Sequence, residues 1–560
     1  MTRRPFAVLL AGLLAAACGR SEPPGRYNVI LISLDSVRAD RTGPYGHVPE
    51  FAPDVPVTPT LDRLAADGAT FESAWSTTSW TLPSHMALMT GLDDRCHGVE
   101  HDDFALDPLR TPVAEVFQEA GYATGGCYSG PYLDPKYGFD RGFDEYRSAM
   151  LSPQEFAAMV QQKNQQLLAA GRPPMTERLI QQMRDRVSHW DVTSPRIEAF
   201  AADFLERHAD DRFFLFLHFF DAHYDYHPDP ELARLFDPDY DGPYDGTNWF
   251  FDEDVMTWAT KPPFERRIPE RDLRHVMAMY DAEIHWVDAH VGRILQRVAD
   301  LGLEDDTLVV VTADHGDEFF DHGSIGHRST VWPELCRVPL VIRVPGGAAG
   351  RRVPEMVSLV DVAPTLLELC GLPPLPEAEG RSLAPFLEPT MEAPPSDHVT
   401  RHRLYARFDR SHRRNFNVQE GWRNPEFTVI RHLQPLDRLA TPEGLPFRAI
   451  VDPDHHLPFL VYDRREDPAE RHPLPPDDPR YAQAVAAMCA DWDAHEARAE
   501  ALPRSPKELR YAPEKSAEEL ATLNALGYAD QGGSGAPRTP PLEPFPAPCP
   551  EGDGGAAGSR

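Results

Sequence analysis

Asn28-Val29-Ile30-Leu31-Ile32-Ser33-Leu34 is an almost uninterrupted apolar run, closed by Asp35. A strand with one wet face alternates polar and apolar residues. A run without alternation needs cover on both faces, which helices packed on a parallel sheet supply. Similar runs recur at Ala123 to Cys127, Phe213 to Leu217, Leu308 to Thr312 and Pro339 to Val344. Helical patterns lie between them. The clearest is Leu273, Met277, Tyr280, Ile284, Val287, Val291, Ile294 and Val298, whose steps of three and four form one apolar helix face. Strands alternating with helices predict an α/β fold with a mainly parallel sheet flanked by helices. Functional residues then belong at the carboxyl ends of the strands.

The 560 residues, 41% of them hydrophobic, allow a large catalytic domain and a smaller one. Residues 27–385 carry the strand–helix alternation. Past Pro385 the pattern weakens into shorter strand-like pieces, which predicts a smaller C-terminal α+β subdomain over 386–530. Residues 531–560 are rich in Gly, Pro and Ser and read as a disordered tail. Pro228 to Pro263, aromatic and acidic with little period, reads as a long surface excursion that can cover the site. Residues 1–18 have the form of a targeting segment: Arg3 and Arg4, an apolar run from Phe6 to Ala17, then Cys18. Cleavage after Ala17 fits an ordinary signal peptide. A cysteine directly after Ala15-Ala16-Ala17 favours a bacterial lipoprotein acylated at Cys18, with residues 19–26 as tether. Either reading exports the chain to the cell envelope or beyond.

A formal net charge of −33 argues against nucleic acid and against a basic membrane-binding face. Membrane contact is then expected only through the N-terminal anchor. The remaining cysteines, Cys96, Cys127, Cys336, Cys370, Cys489 and Cys549, are scattered without a C-x-x-C pair and read mostly as buried thiols.

Three segments carry chemistry. Asp35 closes the first strand run, and Asp314-His315-Gly316 closes Val309-Val310-Val311-Thr312-Ala313. Thr81 stands just before an expected helix that has Pro83 in its first turn. Two carboxylates, an imidazole and a hydroxyl converging from strand ends suit a divalent metal. Such a metal would favour the alkoxide of Thr81 and so activate it as a nucleophile. The helix N-terminus adds donors for an anionic group.

The run Ser79-Trp80-Thr81-Leu82-Pro83-Ser84-His85-Met86, with Thr90-Gly91 beyond it, resembles the sulfatase signature C-x-P-S-R followed by T-G. Thr58-Pro59-Thr60-Leu61-Asp62-Arg63-Leu64-Ala65 resembles the family's T-P-N-L-D-R-L-A, and Arg337-Val338-Pro339-Leu340 its R-V-P-L. Asp361-Val362-Ala363-Pro364-Thr365-Leu366 and Tyr462-Asp463 with Glu466-Asp467-Pro468 and Glu470 extend the likeness to the C-terminal region. The chain is thus identified as a member of the sulfatase branch of the alkaline phosphatase superfamily. The resemblance implies an alkaline-phosphatase-like fold. It implies a metal held by Asp35, Thr81, Asp314 and His315, with calcium as in sulfatases; the histidine argues instead for zinc or manganese. It also implies that His85, in the place of the signature arginine, orients Thr81, and that His223 and His327 hold the ester's oxygens or protonate the leaving group.

The chain also departs from the family elsewhere. Thr81 replaces the cysteine that sulfatases oxidise to formylglycine, so no formylglycine is expected. Ser36 replaces a second aspartate, and the family's lysine and histidine after G-Y-x-T are not evident in Cys127-Tyr128-Ser129-Gly130-Pro131-Tyr132. Asp221, His223 and His327 suit either a second metal or an anion-binding histidine pair. The expected function is metal-dependent hydrolysis of an anionic sulfate, phosphate or phosphonate ester on a glycan, lipid or small molecule. The alternatives are a phosphoryl transferase acting on envelope lipids or glycans, and a non-catalytic binding protein.

Overall fold

The computed structural model describes residues 25–176, 179–180, 192–244, 268–322, 325–328, 330–388, 399–410, 413–432 and 459–525. The targeting segment, most of the tether, residues 245–263 of the expected excursion and the tail lie outside the described residues.

The expected runs become strands β1 (Asn28–Leu34), β3 (Ala123–Tyr128), β5 (Phe213–Phe219), β6 (Thr307–Ala313) and β9 (Leu340–Arg343). With β2 (Ala69–Trp75), β4 (Glu145–Ser148) and β10 (Arg351–Ser358) they form an eight-stranded sheet ordered β10-β2-β9-β6-β1-β5-β3-β4. β9 runs antiparallel to β2 and β6; the other pairings are parallel. β1, β5 and β6 are buried along their whole length, as their lack of alternation requires. The periodic segment forms a helix over Glu270–Asp300 that buries Leu273, Tyr280, Ile284, Val287, Val291, Ile294 and Val298.

Register sets the site. Leu34 of β1 lies level with Phe219 of β5 and Ala313 of β6. The next residues, Asp35 and Asp314, therefore leave adjacent strand ends side by side. A short ribbon of β7 (Glu318–Phe319) and β8 (Ile325–Gly326) then folds the chain back over the end of β6.

The second unit is a four-stranded antiparallel sheet: β11 (Thr400–Arg410), β12 (Arg413–Arg423), β13 (Phe427–His432) and β14 (Phe459–Asp463). The helix Pro479–Ala501 packs Val485, Met488 and Trp492 onto Trp422, Val429 and Val461. The unit is joined to the first by Arg423, which is bidentate to Glu470 and donates to the carbonyl of Val331. Within the expected excursion, Pro230–Phe236 is a short helix capped by Asp229, too brief to leave a readable period. Cys96, Cys127, Cys336 and Cys370 are buried free thiols.

Candidate active site

The chain between β2 and the following helix delivers Thr81 to the carboxyl end of the sheet. Thr81 is the first residue of the helix Thr81–Thr90, not the residue before it. The N-cap, Trp80, supplies no side-chain acceptor, so the orphan N–H groups of the first turn remain donors for an anion. Thr81 Oγ1 lies 3.3 Å from His315 Nε2 and 3.5 Å from Asp35 Oδ2.

Asp314 Oδ1 accepts hydrogen bonds from the backbone N–H groups of Ser36 (3.1 Å) and His315 (2.9 Å). Its other oxygen, Oδ2, is buried, accepts no hydrogen bond, and lies 3.4 Å from His315 Nε2. Asp35 Oδ1 accepts from the Ser36 hydroxyl at 3.1 Å. Ser36 adopts a left-handed φ of 59°, which turns both its N–H and its hydroxyl onto the two carboxylates.

The donor set of Asp35, Asp314 and His315 fits a divalent cation, since one donor atom of each lies within 4.8 Å of the others. Burial pushes the carboxyl of Asp35 up to about 7, and burial together with Asp35 does the same to Asp314. Two acids raised this far, one with an unsatisfied oxygen, form a site whose charge balance calls for a cation.

His85 Nδ1 stands 3.5 Å from Asp314 Oδ2. It lies beneath Thr81, with Nδ1 2.9 Å from the Thr81 carbonyl and Nε2 2.9 Å from Ser33 Oγ. Burial pulls its pKa down to about 3, so it is neutral there and supports the helix from within. His223 and His327 meet edge to face above the group, ring centroids 4.8 Å apart, and His327 lies 4.3 Å from His315.

Asp221 does not complete a second metal set with them. It accepts from Thr193 Oγ1 at 3.0 Å, and the acid that joins His315 and His327 is Asp317. Asp317 Oδ1 lies 2.6 Å from His327 Nδ1, and its Oδ2 accepts from Tyr226 OH at 2.7 Å. Sequence reasoning gave Asp317 no role, nor His218. His218 Nε2 lies 3.1 Å from Asp35 Oδ2, and burial lowers its pKa to about 4. Its one sequence signal is a histidine inside the otherwise apolar run of β5. Asp317 had none beyond standing two residues after His315.

A mainly parallel α/β sheet with buried carboxylates and imidazoles at its strand ends, and a hydroxyl at a helix head among them, is an arrangement suited to metal-assisted ester hydrolysis. The sulfatase family model matches residues 27–372, and a model described as N-sulphoglucosamine sulphohydrolase, C-terminal, matches residues 320–440. An arylsulfatase of Clostridium perfringens is 25% identical over 404 residues, 64% of this chain and 78% of the relative. The multifunctional alkaline phosphatase superfamily protein PehA of Trinickia caryophylli is 25% identical over 506 residues, 82% of this chain and 93% of its own. The crystal structure of the phosphonate monoester hydrolase of Agrobacterium radiobacter superimposes with a TM-score of 0.62 at 22% identity, covering 85% of this chain and 96% of that one. The chain belongs to the sulfatase family, and it is a hydrolase of that family.

Proposed function

We propose that the protein hydrolyses phosphate, phosphodiester or phosphonate esters through Thr81. The observation that carries this reading is a threonine hydroxyl at a helix head, 3.3 Å from His315 Nε2 and 3.5 Å from Asp35 Oδ2. Asp35, Asp314, His315 and Thr81 would hold a divalent cation, whose charge when bound would favour the threonine alkoxide and offset the ester's negative charge. His315 among the donors favours zinc or manganese over calcium.

Thr81 Oγ attacks the central atom in line, and the bond to the leaving oxygen breaks. His223 or His327 gives that oxygen its proton; the reading rests on two buried imidazoles whose ring centroids lie 4.8 Å apart. Asp317 holds His327 from its Nδ1 side, which fixes the direction of the ring. Water then attacks the central atom of the threonine ester, and Thr81 leaves with its oxygen.

A formylglycine hydrate expels sulfate by collapsing to an aldehyde through its second hydroxyl. Threonine has no second hydroxyl, so its ester must be opened by attack at the central atom. That route is ordinary for phosphorus and slow for sulfate. Sulfate-ester hydrolysis is the second reading, favoured by the family model over residues 27–372.

Turnover of matched aryl phosphate, phosphodiester, phosphonate and sulfate esters, beside Thr81→Ala, tests the proposal. We expect phosphorus-ester turnover that Thr81→Ala abolishes, and a phosphothreonine at position 81 trapped by acid quench and seen by mass spectrometry. Sulfate turnover alone would sink it. Export and acylation at Cys18 belong to the same proposal; failure of the chain to take up labelled palmitate in a bacterial host would remove the anchor.

A further inference from the structure

A second group of ligand-type side chains lies away from the site. We propose that Asp93, Cys96, Glu379 and His495 form a structural metal site for a zinc-class divalent cation, tying the C-terminal helix to the catalytic unit beside the helix that carries Thr81. This inference does not depend on the reading of the active site.

Four donors come from three separate parts of the chain. Asp93 caps the short helix Asp94–His97 that contains Cys96, a few residues after the Thr81 helix ends. Glu379 lies in the loop after Cys370, and His495 on the helix Pro479–Ala501. One donor atom of each lies within 4.8 Å of the others. A mixed set of sulfur, nitrogen and oxygen donors is of the kind that zinc takes in closed, four-coordinate sites.

The carboxylates are already oriented. Asp93 Oδ1 is occupied by the N–H groups of Arg95 (3.1 Å) and Cys96 (3.3 Å), and Glu379 Oε2 by the N–H of Asp93 (3.0 Å). The remaining oxygens face the imidazole: Asp93 Oδ2 lies 2.6 Å from His495 Nε2, and Glu379 Oε1 lies 3.1 Å from His495 Nδ1. This is how carboxylate ligands are held by backbone groups behind a metal.

His495 is 3% exposed, and its two ring nitrogens each face one of the two carboxylates. The Cys96 thiol, also buried, is pushed well up by burial and by both acids, a situation that a cation at the centre reverses. Arg498 Nε stands 3.4 Å from Glu379 Oε1, but its guanidinium is anchored to the carbonyls of Glu377 and Ala378 at the rim. Leu92, Cys96 and Ala499 pack together around the group, which keeps water from it. Binding would displace one proton from His495 and one from Cys96.

Cobalt(II) provides the test, because none of the active-site donors is sulfur. The full-length chain, stripped of metal by chelation, is titrated with cobalt. We expect a sulfur-to-cobalt charge-transfer band in the near ultraviolet that saturates within two equivalents, is bleached by zinc, and is missing in Cys96→Ser and His495→Gln. No band in the unaltered chain, or a band that survives Cys96→Ser, overturns the proposal and leaves an imidazolium held between two carboxylates. Should the variants fail to fold, zinc X-ray absorption on Asp314→Asn decides: one sulfur in the first shell supports the site, and a shell of nitrogen and oxygen alone refutes it.

Discussion

Replacing Asp314 by asparagine should make the metal-free protein more stable while destroying its activity. Burial and the neighbouring Asp35 raise the Asp314 carboxyl from 3.8 to about 7. The folded state therefore holds a proton that the unfolded state gives up earlier. Stability contributed by this group is full below about pH 4, falls as pH rises towards about 7, and is flat above. The rise corresponds to about 4 kcal/mol lost across that interval. Asparagine keeps the oxygen that accepts from the N–H groups of Ser36 and His315 and removes the charge. Its amide nitrogen must replace an oxygen that already accepts no hydrogen bond, an unpaired buried group that costs roughly 1–2 kcal/mol. The net expectation is a gain of about 2–3 kcal/mol at pH 8 and a loss of about 1–2 kcal/mol at pH 4. The assay is the urea midpoint of chelator-treated protein against pH, for both chains. Added manganese, a poor match for the thiol-containing group at Cys96, should then raise the unaltered chain's midpoint more than that of Asp314→Asn. A variant no more stable than its parent at pH 8 would refute the claim that the site is built against its own stability to receive a cation.

Three further outcomes follow from particular contacts. Glu470→Ala strands the fully buried guanidinium of Arg423, bidentate at 2.8 and 2.7 Å, and should cost about 3–5 kcal/mol by urea unfolding, with Arg423→Met/Glu470→Leu costing less than the single change. Burial lowers the pKa of His322, but Glu334 at 2.6 Å outweighs it and raises the group to about 9, so this pair stabilises fully below about pH 6.5 and is lost through pH 9; His322→Asn should remove about 3 kcal/mol at pH 6 and nothing at pH 10. His327→Gln should slow esters with alkyl leaving groups far more than nitrophenyl esters, by roughly 10²-fold against a few-fold in kcat, measured across a leaving-group series.

Much of the architecture could be read in the chain because burial on both faces leaves a plain mark. β1, β5 and β6 are uninterrupted apolar runs, and each run's last residue announces where the next side chain meets solvent or ligand. Asp35 and Asp314 were therefore legible before any fold was known. Thr81 was legible through the resemblance of Ser79 to Met86 and Thr90-Gly91 to the sulfatase signature. The rest of the site depends on relations that no local pattern encodes. His218 meets Asp35 because β5 pairs with β1 in one register and not its neighbour. Asp317 meets His327 because a two-residue ribbon reverses the chain between them. His85 occupies a position known from a motif, yet its ring turns inward to Ser33 and the Thr81 carbonyl, because its side chain sits under the helix and packs against His218 and Phe216.

Ser36 carries the point furthest. Read as a letter, it removes a carboxylate and thins the metal shell. In the fold, its left-handed backbone sends the N–H to Asp314 and the hydroxyl to Asp35. His218 at 3.1 Å and His315 at 3.7 Å from Asp35 fill the space around that carboxylate. An aspartate at position 36 would place a third acid against two already pushed up to about 7. The serine exchanges ligand charge for hydrogen bonds that fix the remaining ligands. On the proposed reading the shell then depends on Asp35, Asp314, His315 and the Thr81 hydroxyl, so the proposed nucleophile itself would complete it.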